Sequence, residues 1–117
     1  MMKDWSEIRA RYLRDSVPVR LGGLATNLGR IRSFAGHEAS REAVASLMDE
    51  SKQFIEWTAA QMQIEVAAEL VELQVQLARW QANWNEIWND PIQRRLLAES
   101  SKQWSNRLLA LSGLLSD

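Results

Sequence analysis

The chain has 117 residues, of which 46% are hydrophobic and 25% are charged, and its net charge at pH 7 is −1. These values are ordinary for a folded domain, so they argue against disorder and against a surface that attracts nucleic acid or membranes over its whole extent. The chain has no cysteine, which excludes disulfide and thiol chemistry. The N-terminus lacks the apolar core of a signal peptide and no stretch is as long as a membrane span. We therefore expect a single cytoplasmic domain over residues 1–117.

Every predicted element is a helix. Asp4 and Glu7 have the spacing of a capping box, which predicts a short first helix. Pro18 suits the first turn of the second helix, whose apolar residues recur at steps of three and four. Pro91 suits the first turn of the last helix. The predicted helices span residues 4–15, 17–35, 38–89 and 91–115.

The third predicted helix is unusually long. From His37 to Asp90 the chain runs for 54 residues without glycine or proline, the residues that most often end a helix. Such a helix would be on the order of 80 Å long. Its apolar periodicity continues across the polar run at 49–53, where a kink would be expected, so we predict one continuous helix. The shorter helices fold back over its two halves as antiparallel hairpins, which predicts an elongated all-α architecture.

The middle of this long helix carries more apolar surface than one hairpin partner can cover. A second apolar stripe, formed by Ile64, Ala68, Val71 and Val75, flanks the first, whereas a surface helix needs only one. We therefore predict an antiparallel homodimer in which the two long helices pair and complete the bundle. The predicted interface residues are Met62, Ile64, Val66, Leu70, Val71, Leu73, Val75 and Leu77.

Three tryptophans, Trp80, Trp84 and Trp88, follow at steps of four. A row of this kind can bind an aromatic ligand or a partner peptide. Trp80 and Trp84 also occupy positions of the core stripe, so filling the end of the bundle is the favoured interpretation. Trp88 lies beside the stripe, and we expect it to be the exposed member of the three.

Charge is distributed unevenly along the chain. Residues 1–41 hold eight Lys and Arg against four Asp and Glu, whereas residues 42–90 hold two against nine. The basic helices have the composition to contact phosphates or an anionic membrane surface, with Arg20, Arg30 and Arg32 as candidate anion contacts. No nucleic-acid-binding motif accompanies them. Pairing of the basic helices with the acidic one inside the protein is therefore the favoured interpretation.

Glu65, Glu69 and Glu72 form a row of carboxylates on one helical face. Di-metal sites in helical bundles combine such carboxylates with Glu-x-x-His motifs. The single histidine, His37, is far from the row in sequence. We therefore interpret the row as a solvated acidic face and predict neither a metal nor a cofactor.

Taken together, these features favour a non-enzymatic helical protein that acts through protein–protein interaction, as an adaptor, regulator or structural component. It would associate with itself through the long helix and with a protein partner that the sequence does not identify. The alternative is that the basic segment 9–32 binds nucleic acid or an anionic membrane surface. A third hypothesis is a helical-bundle enzyme or a ligand carrier that uses the tryptophan-rich end.

Overall fold

A computed structural model describes residues 3–113 of the chain. Within this range the protein is 89% helical and contains no strand, which confirms the predicted all-α class. Single turns of 3-10 helix lie at Glu38–Ser40 and Ala59–Gln61. The α-helices of the described range are α1 (Trp5–Arg14), α2 (Val17–Phe34), α3 (Arg41–Thr58), α4 (Ile64–Ala82), α5 (Trp84–Asn89) and α6 (Pro91–Ser112).

Residues next to the helix ends cap α1 at its start and α6 at its start and end. The Asp4 carboxylate accepts a hydrogen bond of 3.1 Å from the amide of Glu7 and caps α1. The Asp90 side chain caps α6 by accepting one of 2.9 Å from the amide two residues later. Gly113 follows α6 with φ at 74°, a left-handed conformation that glycine adopts at little cost. The predicted extension to residues 114 and 115 lies outside the described residues.

The prediction of one continuous helix over residues 38–89 is wrong. The chain reverses direction at 59–63, where Met62 and Gln63 adopt extended backbone angles with ψ at 158° and 150°. A second break at Asn83 separates α4 from α5. The sequence of each turn lacks glycine and proline, and for this reason composition alone did not reveal them.

Packing explains the reversal. The Gln74 amide donates a hydrogen bond of 3.4 Å to the carbonyl oxygen of Lys52, and the Gln81 amide donates one of 2.7 Å to the carboxylate of Asp49. Gln81 follows Gln74 in the chain, whereas its partner Asp49 precedes Lys52. The two helices therefore run in opposite directions and form an antiparallel hairpin. In the hairpin the apolar stripes of both halves enter one core, which they share with α2 and α6 and which a continuous rod could not form. The polar run at 49–53 lies inside α3 and is not a kink.

The helices assemble into a compact bundle. Helix α2 packs between α3 and α6, and α4 packs on α3. The molecule measures 37 × 33 × 22 Å with a radius of gyration of 14.0 Å, close to the ~13 Å expected of a compact chain of this length. The predicted elongated shape is therefore wrong. The apolar side chains that are at most 2% exposed are Leu21, Leu24, Ala25, Leu28, Ile31, Val44, Met48, Ile55, Leu70, Leu73, Leu77, Trp88, Leu97 and Leu108.

None of the helices in the described range is long and apolar enough to cross a lipid bilayer.

Candidate interaction surface

Helix α4 is apolar on two opposite faces, and the bundle covers only one of them. Leu70, Leu73 and Leu77 are fully buried in the monomer. On the opposite side Ile64 is 80% exposed and Val71 is 49% exposed. We call this outer face the α4 seam, and it consists of Ile64, Ala68, Val71, Val75 and Ala78, all of which are exposed.

The residues predicted to form a dimer interface therefore divide into two groups. Leu70, Leu73 and Leu77 belong to the core of the monomer, and Met62 packs against that core. Val66 is half-buried. The exposed members of the predicted set are Ile64, Val71 and Val75. The division arises because the turn after α3 supplies an intramolecular partner for the first stripe of α4 and leaves the second uncovered.

Bonds on both flanks of α4 hold the seam in a fixed orientation. On one side, Gln74 and Gln81 are hydrogen bonded to α3. On the other side, Glu69 receives two hydrogen bonds, at 2.8 and 2.9 Å, from the guanidinium of Arg107 on α6. The hydrogen bonds from Arg107 hold the pKa of the Glu69 carboxyl below its ordinary value. The seam is consequently turned away from the bundle along its whole length.

The steps along the seam are four, three, four and three residues, which is the spacing of a coiled-coil contact line. One flank carries Glu65, Glu72 and Arg79, which are seven residues apart and exposed. None of these three side chains forms a salt bridge within residues 3–113. A contact line of small apolar residues bordered by unpaired charges is typical of a helix that pairs with another helix.

The tryptophan row is divided by the break at Asn83. Trp80 and Trp88 are 8% and 2% exposed, whereas Trp84 is half-buried. The Trp88 indole N–H donates a hydrogen bond of 2.9 Å to the carbonyl oxygen of Glu38. The expectation that Trp88 is the exposed member is therefore wrong. The break turns α5 relative to α4, so the helical register of α4 does not extend to residue 88.

The guanidinium of Arg94 also holds Trp88 in place. It lies 5.4 Å from the centre of the indole ring and donates a hydrogen bond of 3.1 Å to the Trp88 carbonyl oxygen. Two of the three tryptophans considered for ligand binding, Trp80 and Trp88, thus contribute most of their surface to the core.

The three arginines considered as anion contacts do not form one site. Arg20 is buried, and its guanidinium donates to the carbonyl oxygens of Asp15 and Leu13 and to the side chain of Gln61 at 2.6 Å. Arg30 and Arg32 are exposed. They are two residues apart on α2, so they point to different sides of that helix. Arg30 instead lines a cavity together with Arg11, another arginine of the basic segment 9–32.

The acidic row on α4 gives no metal site in the described part of the chain. Within residues 3–113 no group of three or more His, Cys, Asp or Glu side chains is arranged to hold a metal ion. Glu69 is bonded to Arg107, whereas Glu65 and Glu72 are exposed.

Comparison of the chain with protein-family models, with curated proteins and with solved structures finds no match.

Proposed function

We propose that this protein is a non-enzymatic helical interaction module that works as a homodimer, in which the α4 seam of one copy pairs with the α4 seam of another. The observation that carries the proposal is the exposed line of apolar residues from Ile64 to Ala78 at coiled-coil spacing. Apolar surface that is contiguous and fixed in orientation is typical of an interaction site.

The seam is suited to antiparallel pairing with its own copy. Val71 is the middle position of the seam, so a twofold axis near Val71 places Ile64 of one copy opposite Ala78 of the other. Ala68 then lies near Val75 of the second copy. The largest exposed side chain of the seam thus meets the smallest, which allows close packing along the line.

The flanking charges support the same arrangement. In an antiparallel pair related by this axis, Glu65 of each copy lies beside Arg79 of the other, giving two pairs of opposite charge. Glu72 lies beside its own counterpart near the axis, a like-charge contact that opposes pairing only weakly because both carboxylates are exposed, whereas the two Glu65–Arg79 pairs favour it. Opposite charges at these positions set the orientation of the helices and contribute little to affinity, because they are exposed.

Helix α6 extends the surface at one end of the seam. Ile92 and Leu96 are 67% and 58% exposed. Leu96 lines a cleft of about 300 Å³ together with Gln76 and Trp80 of α4. In the antiparallel pair this cleft lies near the end of the seam that receives Ile64 of the second copy. Because the seam offers only five apolar side chains, none larger than Ile64, we expect a weak dimer with a dissociation constant on the order of micromolar.

Analytical ultracentrifugation between micromolar and millimolar protein tests the proposal. The wild type should pass reversibly from monomer to dimer. Val71→Asp should remain monomeric throughout, because it places two carboxylates at the axis. Val19→Asp on α2 is a matched control, since Val19 is 44% exposed and lies outside the seam. Circular dichroism of both variants verifies that the monomer remains folded.

Charge exchange tests the orientation. Glu65→Arg should weaken the dimer by placing like charges beside each other, and the double variant Glu65→Arg/Arg79→Glu should restore it. A wild type that stays monomeric at every concentration would contradict the proposal. So would equal dimerisation of Val71→Asp and Val19→Asp.

The other two hypotheses have less support. Arg20, a candidate for contact with nucleic acid or membrane, is buried and donates three hydrogen bonds inside the protein. Trp80 and Trp88, candidates for a ligand site, are buried in the bundle.

A further inference from the structure

A cavity of about 390 Å³ lies between α1, α2 and α3, and no residue of the α4 seam lines it. Its volume is within the range of sites that bind small molecules. Ile8 and the rings of Tyr12 and Phe54 form its apolar wall. Gly23 also lines the cavity, and a Cβ at that position would meet only the edge of Tyr12, at 3.9 Å. The glycine therefore leaves space that a side chain would fill.

Two arginines from different helices converge on this cavity. Arg11 comes from α1 and Arg30 from α2, and both are exposed at their ends. Neither guanidinium forms a salt bridge within residues 3–113. Two unpaired guanidinium groups beside an apolar wall can hold a carboxylate through charge-assisted hydrogen bonds.

A buried amide completes the polar part of the lining. Asn27 is only 3% exposed, and its amide nitrogen is 3.5 Å from the carboxylate of Glu50, at the outer limit of a hydrogen bond. A buried amide with one long bond retains capacity for a further partner. The Asn27 side chain is thus available to a molecule in the cavity.

The balance of charge around the cavity selects the sign of its ligand. Glu50 is neutralised by Lys3, whose ammonium lies 3.6 Å away. Asp15 is the remaining carboxylate of the lining, against Arg11 and Arg30. The four charged residues of the lining sum to zero, and Lys3 beside Glu50 brings the net charge at and around the cavity to +1. A monoanion would neutralise it.

We propose that this cavity binds a small carboxylate with an aromatic or aliphatic body. Arg11 and Arg30 hold the carboxylate, Asn27 provides a neutral hydrogen bond, and Ile8 and Phe54 contact the apolar body. The site does not depend on pairing through the α4 seam.

Titration of the ¹⁵N-labelled full chain with phenylacetate, followed by NMR, tests the site. We expect saturable shifts at the amides of Gly23, Asn27 and Phe54, with a dissociation constant on the order of 1 mM for a ligand of this size. Phenethylamine has the same ring with a positive charge and should not bind. Inorganic phosphate lacks the apolar body and should bind much more weakly than phenylacetate.

Matched variants assign the site to its residues. Arg11→Ala/Arg30→Ala should weaken phenylacetate binding by roughly tenfold or more. Arg9→Ala/Arg32→Ala is the control, since it removes the same charge from the same two helices outside the cavity lining. Gly23→Leu should abolish binding by filling the space, and its circular dichroism spectrum verifies folding.

The proposal is overturned if phenylacetate gives no saturable shift up to about 10 mM, ten times the expected dissociation constant. It is overturned equally if phenethylamine binds as well as phenylacetate. If the two double-arginine variants weakened phenylacetate binding equally, net charge and not this cavity would explain the binding, and the proposal would be overturned.

Discussion

The hydroxyl of Tyr12 donates a hydrogen bond of 3.1 Å to the carbonyl oxygen of Arg20. The same hydroxyl accepts one of 3.2 Å from Thr58, at the end of α3. Arg20 in turn donates to the carbonyl oxygens of Leu13, in the last turn of α1, and of Asp15, in the connection to α2. These bonds join three helices and fix the place where the chain turns after α3.

Ionisation of Tyr12 should destabilise the fold at high pH. Burial raises the pKa of Tyr12 from 10.0 to about 12, although the bond from Thr58 opposes the increase. Because the folded state favours the neutral phenol, this contribution to stability is fully present below pH 10 and decreases between about pH 10 and 12. The expected loss is up to about 2–3 kcal/mol.

Two measurements check this prediction. Tyr12 is the only tyrosine of the chain, so tyrosinate absorbance near 295 nm should follow it alone, with a midpoint near 12. Urea denaturation of Tyr12→Phe should show a weaker decrease in stability between about pH 10 and 12 than the wild type. A midpoint at the ordinary tyrosine value would show that the phenol is not buried as described.

Loss of the Arg20 side chain should be among the most damaging changes to stability. Arg20→Ala removes a buried guanidinium together with its three hydrogen bonds, so we expect a loss of about 2–4 kcal/mol. Arg20→Lys should recover only part of it, because an ammonium cannot reach all three acceptors in the geometry of a guanidinium. Arg32→Ala, at an exposed position of the same helix, should change the free energy of unfolding by less than about 0.5 kcal/mol in the same urea assay.

Two buried serines should be replaceable at no cost. Ser51 and Ser101 are fully buried, and their hydroxyls have no hydrogen-bond partner among the described residues. Ser101→Ala removes an unsatisfied hydroxyl from the core and should leave stability unchanged or increase it by about 1 kcal/mol. Ser105→Ala on the same helix is the comparison, because the Ser105 hydroxyl does have a partner: it donates a hydrogen bond of 2.8 Å to the carbonyl oxygen of Ala25.

The two alanine variants share the same gain in helix propensity, so their difference isolates the hydrogen bond. Thermal denaturation should place Ser101→Ala above Ser105→Ala. The reverse order would indicate that the Ser101 hydroxyl has a role in the core that its surroundings do not reveal.

Replacing the tryptophans of α5 should have unequal effects. Trp88→Phe removes the bond to Glu38 and part of a buried ring, so we expect a loss of about 2–3 kcal/mol. Trp84→Phe, in a half-buried ring, should cost less than about 1 kcal/mol. Denaturation followed by far-ultraviolet circular dichroism gives both values. Equal costs would contradict the orientation of α5 described here.

Local patterns in the sequence were sufficient for the class of fold and for several helix ends. The spacing of Asp4 and Glu7 and the Asp90-Pro91 pair predict helix starts because a cap depends only on neighbouring residues. The second apolar stripe on α4 could also be recognised, since helical periodicity places Ile64, Val71 and Val75 on one face whatever their surroundings.

The candidate sites could be predicted only in part. Of the predicted interface residues, Ile64, Val71 and Val75 are exposed in the folded chain, whereas Leu70, Leu73 and Leu77 are buried in its core. Arg11 and Arg30 both belong to the basic segment 9–32, but their spacing in the sequence does not show that they line one cavity. Periodicity along one helix cannot show which side chains of two helices converge.

The sequence by itself determined that the chain is helical, because its propensities and periodicity act over a few residues. Tertiary structure decided where the long glycine-free and proline-free segment breaks. The turn at 59–63 has no glycine or proline to mark it in the sequence. It lets the apolar stripes before and after it enter one core, and helices in proteins take most of their stability from such packing. That same turn determines which face of α4 enters the core and which face stays exposed.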